Sequence, residues 1–458
     1  MANNPLPTHM TKGGPGDAYL GDGKVDTSSW FKEVDLLEEQ IRNQEIWFCT
    51  APFQMIYTDT DGTLAPCSWA VTRAKMTAPN VRRNKFATYF VEDEELNEMR
   101  KEMTTPGSDL KTCERICVNC RRQEKLYGRS RRQASLKIQS NDPGLWPEIR
   151  KAVEIYKETG KGRIQNRVFE VQIKAFGNQC NLDCFMCIPD DSSTRLKTIN
   201  SDKLKDEQVF HPRHKTTPIS LLKRGRLEEI VDEIVAIAPY IYNLKFIGGE
   251  PLVMKQFYTL LEKIVASGHS KNMRVKYQTN MSVLEFERVK VTKFIPEFEL
   301  FEFTVSLDGI GKANNYIRRR SDWDNIVNNI KTVKKYPNVE INVNGTISFL
   351  SVLRFYELIE WFQTNELDLN QINWSNIRNP KKLMANVLPI EIKEKLLPKY
   401  EGFSDIQNIL KEDNGGLDYQ DSLNYLIMMD NYYLGTKWEL HLFDVYPELE
   451  KYHNRRAS

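Results

Sequence analysis

The sequence predicts an α/β protein: a partial (β/α)6 TIM-like barrel, a small N-terminal cysteine-rich α+β domain before it, and a helical extension after it. Three observations predict this. Short β-branched and aromatic segments recur between residues 168 and 377. Amphipathic helical stretches separate most of them. All eight cysteines lie between Cys49 and Cys187, so the second half of the chain has none.

The strand candidates are VFEVQIKAF (168–176), NLKFIGGEP (243–251), RVKYQTN (274–280), FEFTVSLDG (301–309), VEINVNGTISFL (339–350) and QINWSNI (371–377). Between them run SLLKRGRLEEIVDEIVAIA, KQFYTLLEKIVASG, DNIVNNIKTVKKY and VLRFYELIEWFQ, with apolar residues at helical spacing. Strands alternating with helices form parallel βα units. Right-handed crossovers curl such units into part of a barrel. Chemistry in such barrels sits at the C-terminal ends of the strands. Four regions are expected: a loosely ordered Pro- and Gly-containing tail over 1–40, a cysteine-bearing unit over 41–140, the barrel over 145–385, and a helical extension over 386–458. Within the cysteine unit, PFQMIYTDTDGTLAPC reads as a hairpin turning at Asp61-Gly62.

Charge gives little direction. Lys and Arg number 64 and Asp and Glu 62, a net charge of +2. Neither nucleic acid nor an anionic membrane is favoured by so even a balance. No apolar run approaches the ~20 residues of a membrane helix. The first residues have no apolar core of a secretory signal, so a cytoplasmic location is expected. Thiols stay reduced there, and their close spacing points to metal rather than disulfides. Ordinary buried thiols are the plain alternative. His211 and His214 in HPRHK read as part of a solvated loop after the first strand.

Two cysteine triplets share one spacing, C-x3-C-x2-C: Cys113, Cys117 and Cys120 in CERICVNC, and Cys180, Cys184 and Cys187 in CNLDCFMC. The second triplet follows directly on the first strand. Thiolates in close spacing select iron–sulfur clusters or zinc. A cluster held by three thiolates keeps one iron open for a ligand. The glycines of GGEP (Gly248, Gly249, Glu250, Pro251) end the second strand and permit close backbone approach. Glu250 has the charge to pair with an ammonium. Thr279 and Asn280 end the third strand, and Ser306 and Asp308 of SLDG end the fourth.

This ordered set resembles the radical SAM enzymes. The resemblance implies a 4Fe-4S cluster on Cys180, Cys184 and Cys187. Its open iron chelates S-adenosylmethionine. It further implies that GGEP holds the methionine amino group, that Thr279, Asn280, Ser306 and Asp308 make polar contacts, and that Phe185 and Met186 pack near the adenine. Met186 departs from the aromatic residue common just before the last cysteine. NNYIRRRSDW resembles one branch of the family and makes Arg318 a candidate partner for a carboxylate.

No strand leads into Cys113. Cys49 and Cys67, which flank the hairpin, complete a set of four thiols with Cys117 and Cys120; Cys113 is a fifth, able to replace one of them. This set resembles the twitch or SPASM-like modules that hold an auxiliary iron–sulfur cluster. Most of those modules follow the barrel, whereas this one precedes it. A structural zinc site has the same ligand chemistry.

The resemblance implies reductive cleavage of S-adenosylmethionine to a 5′-deoxyadenosyl radical, which takes a hydrogen atom from a substrate. It implies a peptide or protein substrate and an external one-electron donor such as a flavodoxin or ferredoxin. A small molecule or RNA is the alternative substrate, RNA being suggested by the basic run from Arg121 to Arg132. A non-catalytic, zinc-stapled binding module is the alternative class.

Overall fold

A computed structural model describes residues 35–71, 78–128, 130–164, 169–204, 224–364 and 366–453. His211 and His214 lie outside these. One sheet holds eight strands, numbered here along the chain: β1 (Met55–Thr58), β2 (Leu64–Ala65), β3 (Phe169–Ile173), β4 (Ile241–Phe246), β5 (Arg274–Thr279), β6 (Leu300–Ser306), β7 (Val339–Ile347) and β8 (Gln371–Asn376). Strands β3 to β8 are the six expected barrel strands. They lie side by side in chain order and all pair in parallel. Helices Arg224–Ala236, Lys255–Ala266, Trp323–Val333 and Phe355–Thr364 fill four of the five crossovers. The β5–β6 crossover is made of short turns and a two-residue ribbon instead.

The barrel strands alternate instead of being apolar throughout. Along β6, Phe301, Phe303 and Val305 are buried, while Glu302, Thr304 and Ser306 are half-buried. The apolar set packs under the helices. The polar set faces the lumen, where register aligns Gln172, Lys245, Lys276, Glu302 and Glu340 across five strands. Lys276 and Glu302 pair there at 2.8 Å.

The cysteine unit joins this sheet. The expected hairpin forms β1 and β2, with Gly62 at φ +84° in its turn. A Cβ on Gly62 would meet Asn80 Oδ1 and Val81 Cγ2 at 2.9 Å, so glycine is required by both backbone and space. Strand β1 then pairs in parallel with β3, from Met55 opposite Glu170 to Thr58 opposite Ile173. The Thr58 hydroxyl accepts from the amides of Lys174 and Ala175 at 3.0 and 3.2 Å.

The unit's helices enclose a second core around Phe48, Phe53, Met99 and Met103. Trp146, Ile149 and Val153 of helix Trp146–Thr159 belong to it, so this small core runs beyond residue 140. Of the span expected as a tail, 1–40, residues 1–34 lie outside the described residues. Residues Leu36–Arg42 form a helix with a capping box of Asp35 and Glu38. Glu38 is buried and accepts from Trp146 Nε1 at 2.6 Å, which docks this helix on the core.

The C-terminal extension is helical, as expected, with helix Tyr419–Tyr433 its longest. Its side chains reach the cysteine loop. Asp183 and Cys184 pair antiparallel with Arg319 and Arg318 in a two-residue ladder. Arg195, fully buried, sits 3.2 Å from Asp183, and Tyr433 donates to the other oxygen of Asp183 at 2.6 Å. Arg319, also fully buried, is bound to Asp430 and to the carbonyls of Trp438 and Leu440. Tyr316 donates to Asp430 at 2.9 Å. Among the described residues no helix is long and apolar enough to cross a membrane.

Removing one member of a buried pair strands the other. Asp430→Ala is expected to cost about 3–5 kcal/mol, read as a lower urea midpoint. Replacing both partners, Arg319→Met with Asp430→Leu, is expected to recover most of that loss.

Candidate functional site

A cleft of about 590 Å³ opens at the C-terminal ends of the barrel strands. Cys180, Cys184 and Cys187 all line it, with Met186 beside them. The loop that carries them is pinned along its length. The Cys180 amide donates to Ser193 Oγ at 3.2 Å, and Thr194 donates back to the Cys180 carbonyl at 2.6 Å. Asn178 donates to the Pro189 carbonyl at 2.9 Å, and Phe185 N to Ile317 O at 3.1 Å. Burial pushes the Cys180 thiol up to about 12 and the Cys184 thiol to about 11, with Arg318 opposing the rise at Cys184. Cys187 is raised well above the ordinary thiol value, by burial first and then by its neighbouring thiols.

Gly248 and Gly249 line the cleft at φ +87° and +47°. A Cβ on Gly249 would lie 2.2 Å from the Gln179 carbonyl, and one on Gly248 2.5 Å from Lys174 Cγ. The Glu250 amide donates to that same Gln179 carbonyl at 2.8 Å. The glycines therefore let the turn after β4 close onto the base of the cysteine loop. Thr279, Asn280 and Ser306 line the cleft as well.

Four expected residues stand behind the cleft wall. Glu250 caps the turn Pro251–Val253 and accepts from Leu252 N at 3.0 Å, Thr279 Oγ1 at 2.7 Å and Asn280 N at 2.6 Å. Both oxygens thus serve the protein itself. Burial still raises this carboxyl to about 7, against those three donors. Pro251 belongs to that turn. Phe185 packs its ring against Tyr316 and Tyr425, at 5.3 and 6.4 Å. Asp308 accepts from Thr346 N at 2.7 Å and faces Arg318 Nε at 2.8 Å. Burial raises its carboxyl and Arg318 opposes the rise. Arg318 lines the cleft, and its carboxylate is Asp308.

Sequence reasoning missed several lining residues. Asn344 and Thr346 follow from the lumen-facing parity of β7. Lys174 lies one residue beyond β3 and pairs with Asp191 at 2.7 Å and Asp59 at 3.2 Å. Tyr57, Ser68 and Trp69 come from the cysteine unit, and only the β1–β3 pairing brings them there.

The second thiol set also assembles. Cys49, Cys67, Cys117 and Cys120 line one cavity of about 70 Å³, walled by Trp47, Trp69, Arg131 and Arg132. Burial raises all four thiols, Cys49 to about 12. Cys113 is not in this cavity. It faces the small core on helix Lys111–Ile116, with its thiol 3.8 Å from the Met99 carbonyl and its amide donating to Glu102 at 2.7 Å. Among the described residues, no three Cys, His, Asp or Glu side chains meet at a single ion-sized point; the thiols stand around the two spaces. In donor chemistry both sets fit a thiolate-bound metal group.

Trp69 borders both spaces. Arg131 holds it, lying 5.5 Å over its ring and donating to Ser68 Oγ at 3.1 Å. Asn119, between Cys117 and Cys120, donates to the Trp69 carbonyl at 2.9 Å. The basic run is turned to internal work. Arg132 pairs with Glu124 at 2.8 Å and donates to the Phe48 carbonyl at 2.6 Å, and Arg121 pairs with Glu114 at 2.6 Å.

Residues 175–350 match the Radical SAM superfamily. "Molybdenum cofactor biosynthesis protein 1" of Dictyostelium discoideum is 21% identical over 233 residues, 49% of this chain and 32% of that protein. The chain thus spans about a third of the length of this curated relative. Among solved structures, native anSMEcpe with bound AdoMet is similar at 18% identity and a TM-score of 0.36, over 52% of this chain and 61% of that one. Streptococcus suis SuiB bound to precursor peptide SuiA is similar at 14% identity and a TM-score of 0.35, over 63% and 59%. The superfamily match runs from the cysteine loop through β7.

Proposed function

We propose that Cys180, Cys184 and Cys187 hold a 4Fe-4S cluster and that the cleft above them binds S-adenosylmethionine and a peptide or protein substrate. The observation that carries this reading is the convergence of three thiols on one cleft walled by the Gly248–Gly249 turn. When bound, the cluster supplies one electron that splits the cofactor into methionine and a 5′-deoxyadenosyl radical, which takes a hydrogen atom from the substrate.

The chain's own residues bind, orient and shield. The backbone of Gly248 and Gly249 and the side chains of Thr279, Asn280 and Ser306 hold the polar parts of the cofactor, with Met186 against its apolar face. Glu250 acts one layer back: it fixes Thr279 and Asn280 through hydrogen bonds. Phe185 and Asp308 hold the loop and Arg318 from behind. Gln278, Asn344 and Thr346 offer donors and acceptors of the kind a peptide backbone matches. An external one-electron donor such as a flavodoxin or ferredoxin completes the reaction.

We propose further that Cys49, Cys67, Cys117 and Cys120 hold an auxiliary iron–sulfur cluster in a twitch-like unit, and that Cys113 is a core thiol. Four thiols around one cavity are a complete ligand set for such a cluster.

Two measurements test these readings. Reconstituted without oxygen and reduced with dithionite, the protein is expected to form 5′-deoxyadenosine from S-adenosylmethionine. Cys184→Ala is expected to lose that activity by at least a hundredfold, and cleavage at the parent rate in this variant would sink the proposal. With Cys180, Cys184 and Cys187 all changed to Ala, about four iron per chain are expected to remain. A further Cys117→Ala removes them, whereas Cys113→Ser does not. About one zinc and no iron in that background assigns the unit to a structural metal instead.

A further inference from the structure

Arg318 touches two groups of opposite charge demand. Its Nη1 lies 3.9 Å from the Cys184 sulfur, and its Nε lies 2.8 Å from Asp308 Oδ2. Asp308 is fully buried, and Arg318 and Cys184 are each 8% exposed. The backbone builds this contact, because the two-residue ladder sets Arg318 directly opposite Cys184. The Nε–Oδ2 approach is close without being aligned as a hydrogen bond, so the carboxylate balances the guanidinium without fully engaging it. Arg318 also opens onto the cleft.

We infer that Arg318 sets the reduction potential of the iron–sulfur group bound at Cys184, with Asp308 as its counterweight. A donor to a ligating sulfur, and a positive charge beside it, favour the reduced and more negative state. Little solvent stands between these groups, which strengthens the effect. A guanidinium keeps its charge at any working pH, so the bias is constant. Asp308 removes part of that bias. This inference rests on the reading that Cys180, Cys184 and Cys187 hold a cluster.

Redox titration of the full chain, followed by electron paramagnetic resonance, tests it. The relevant signal is the one that changes when S-adenosylmethionine is added, which separates it from any second centre. Arg318→Gln is expected to shift that midpoint downward by about 59 mV or more, a tenfold change in a one-electron equilibrium. Arg318→Lys is expected to shift it less. Asp308→Asn is expected to shift it upward. Midpoints unmoved in Arg318→Gln and Asp308→Asn, or moved in the same direction by both, overturn the inference. If Arg318→Gln loses its iron, the Arg318→Lys and Asp308→Asn pair decides alone. A parent protein with no cofactor-responsive signal overturns the cluster reading instead.

Discussion

The site depends on one short piece of backbone pairing. Asp183 and Cys184 are zipped to Arg319 and Arg318, and each rung of that ladder carries a buried charge. On one rung Asp183 faces Arg195 and Tyr433 and Arg319 faces Asp430; on the other Arg318 faces Asp308. Buried ion pairs of this kind seldom add net stability, since desolvation consumes most of the attraction. What they supply here is a single arrangement: a slipped register would leave charges unpaired in the interior. The extension after the barrel therefore does work at the other end of the sequence. Helix Tyr419–Tyr433 brings Tyr425 and Tyr433 to a loop more than two hundred residues earlier and Asp430 to Arg319, and so braces the ladder that carries Cys184.

Much of this was legible in the sequence. The six barrel strands overlap the segments marked by alternation and β-branched residues, β4 and β6 starting slightly earlier at Ile241 and Leu300, because a parallel sheet with helices on one side and a polar lumen on the other writes a period of two into each strand. The thiols, the two glycines after β4, and Thr279, Asn280 and Ser306 were legible because they lie next to strand ends. Glu250, Phe185 and Asp308 show the limit of that reasoning. A motif says which residues stand near a site, but not which way each side chain turns. Glu250 is drawn inward by three donors, and Asp308 by Arg318 and an amide of β7. The contributions of Tyr57, Ser68 and Trp69 had no local signal, since they arise from pairing between β1 and β3.

The repeated cysteine spacing has two different outcomes, and the surrounding backbone decides between them. In the barrel the triplet sits on a loop, so all three thiols can turn to one side. In the N-terminal unit the same spacing falls on a helix and its junction with the next. There Cys113 points into the core, while Cys117 and Cys120 meet Cys49 and Cys67 across the cavity. Equal spacing in sequence is therefore not equal geometry, because a helix rotates successive residues by about 100° where a loop need not.

The pairing of β1 with β3 also bears on how the chain assembles. Parallel strands cannot be joined by a tight turn, and here the connection between them is nearly all of the cysteine unit, from Asp59 through helix Trp146–Thr159. Closing so long a connection costs chain entropy before any strand contact repays it. Compaction of the enclosed helices shortens that connection and lowers this cost. The same compaction brings the thiols of Cys49, Cys67, Cys117 and Cys120 around their shared cavity.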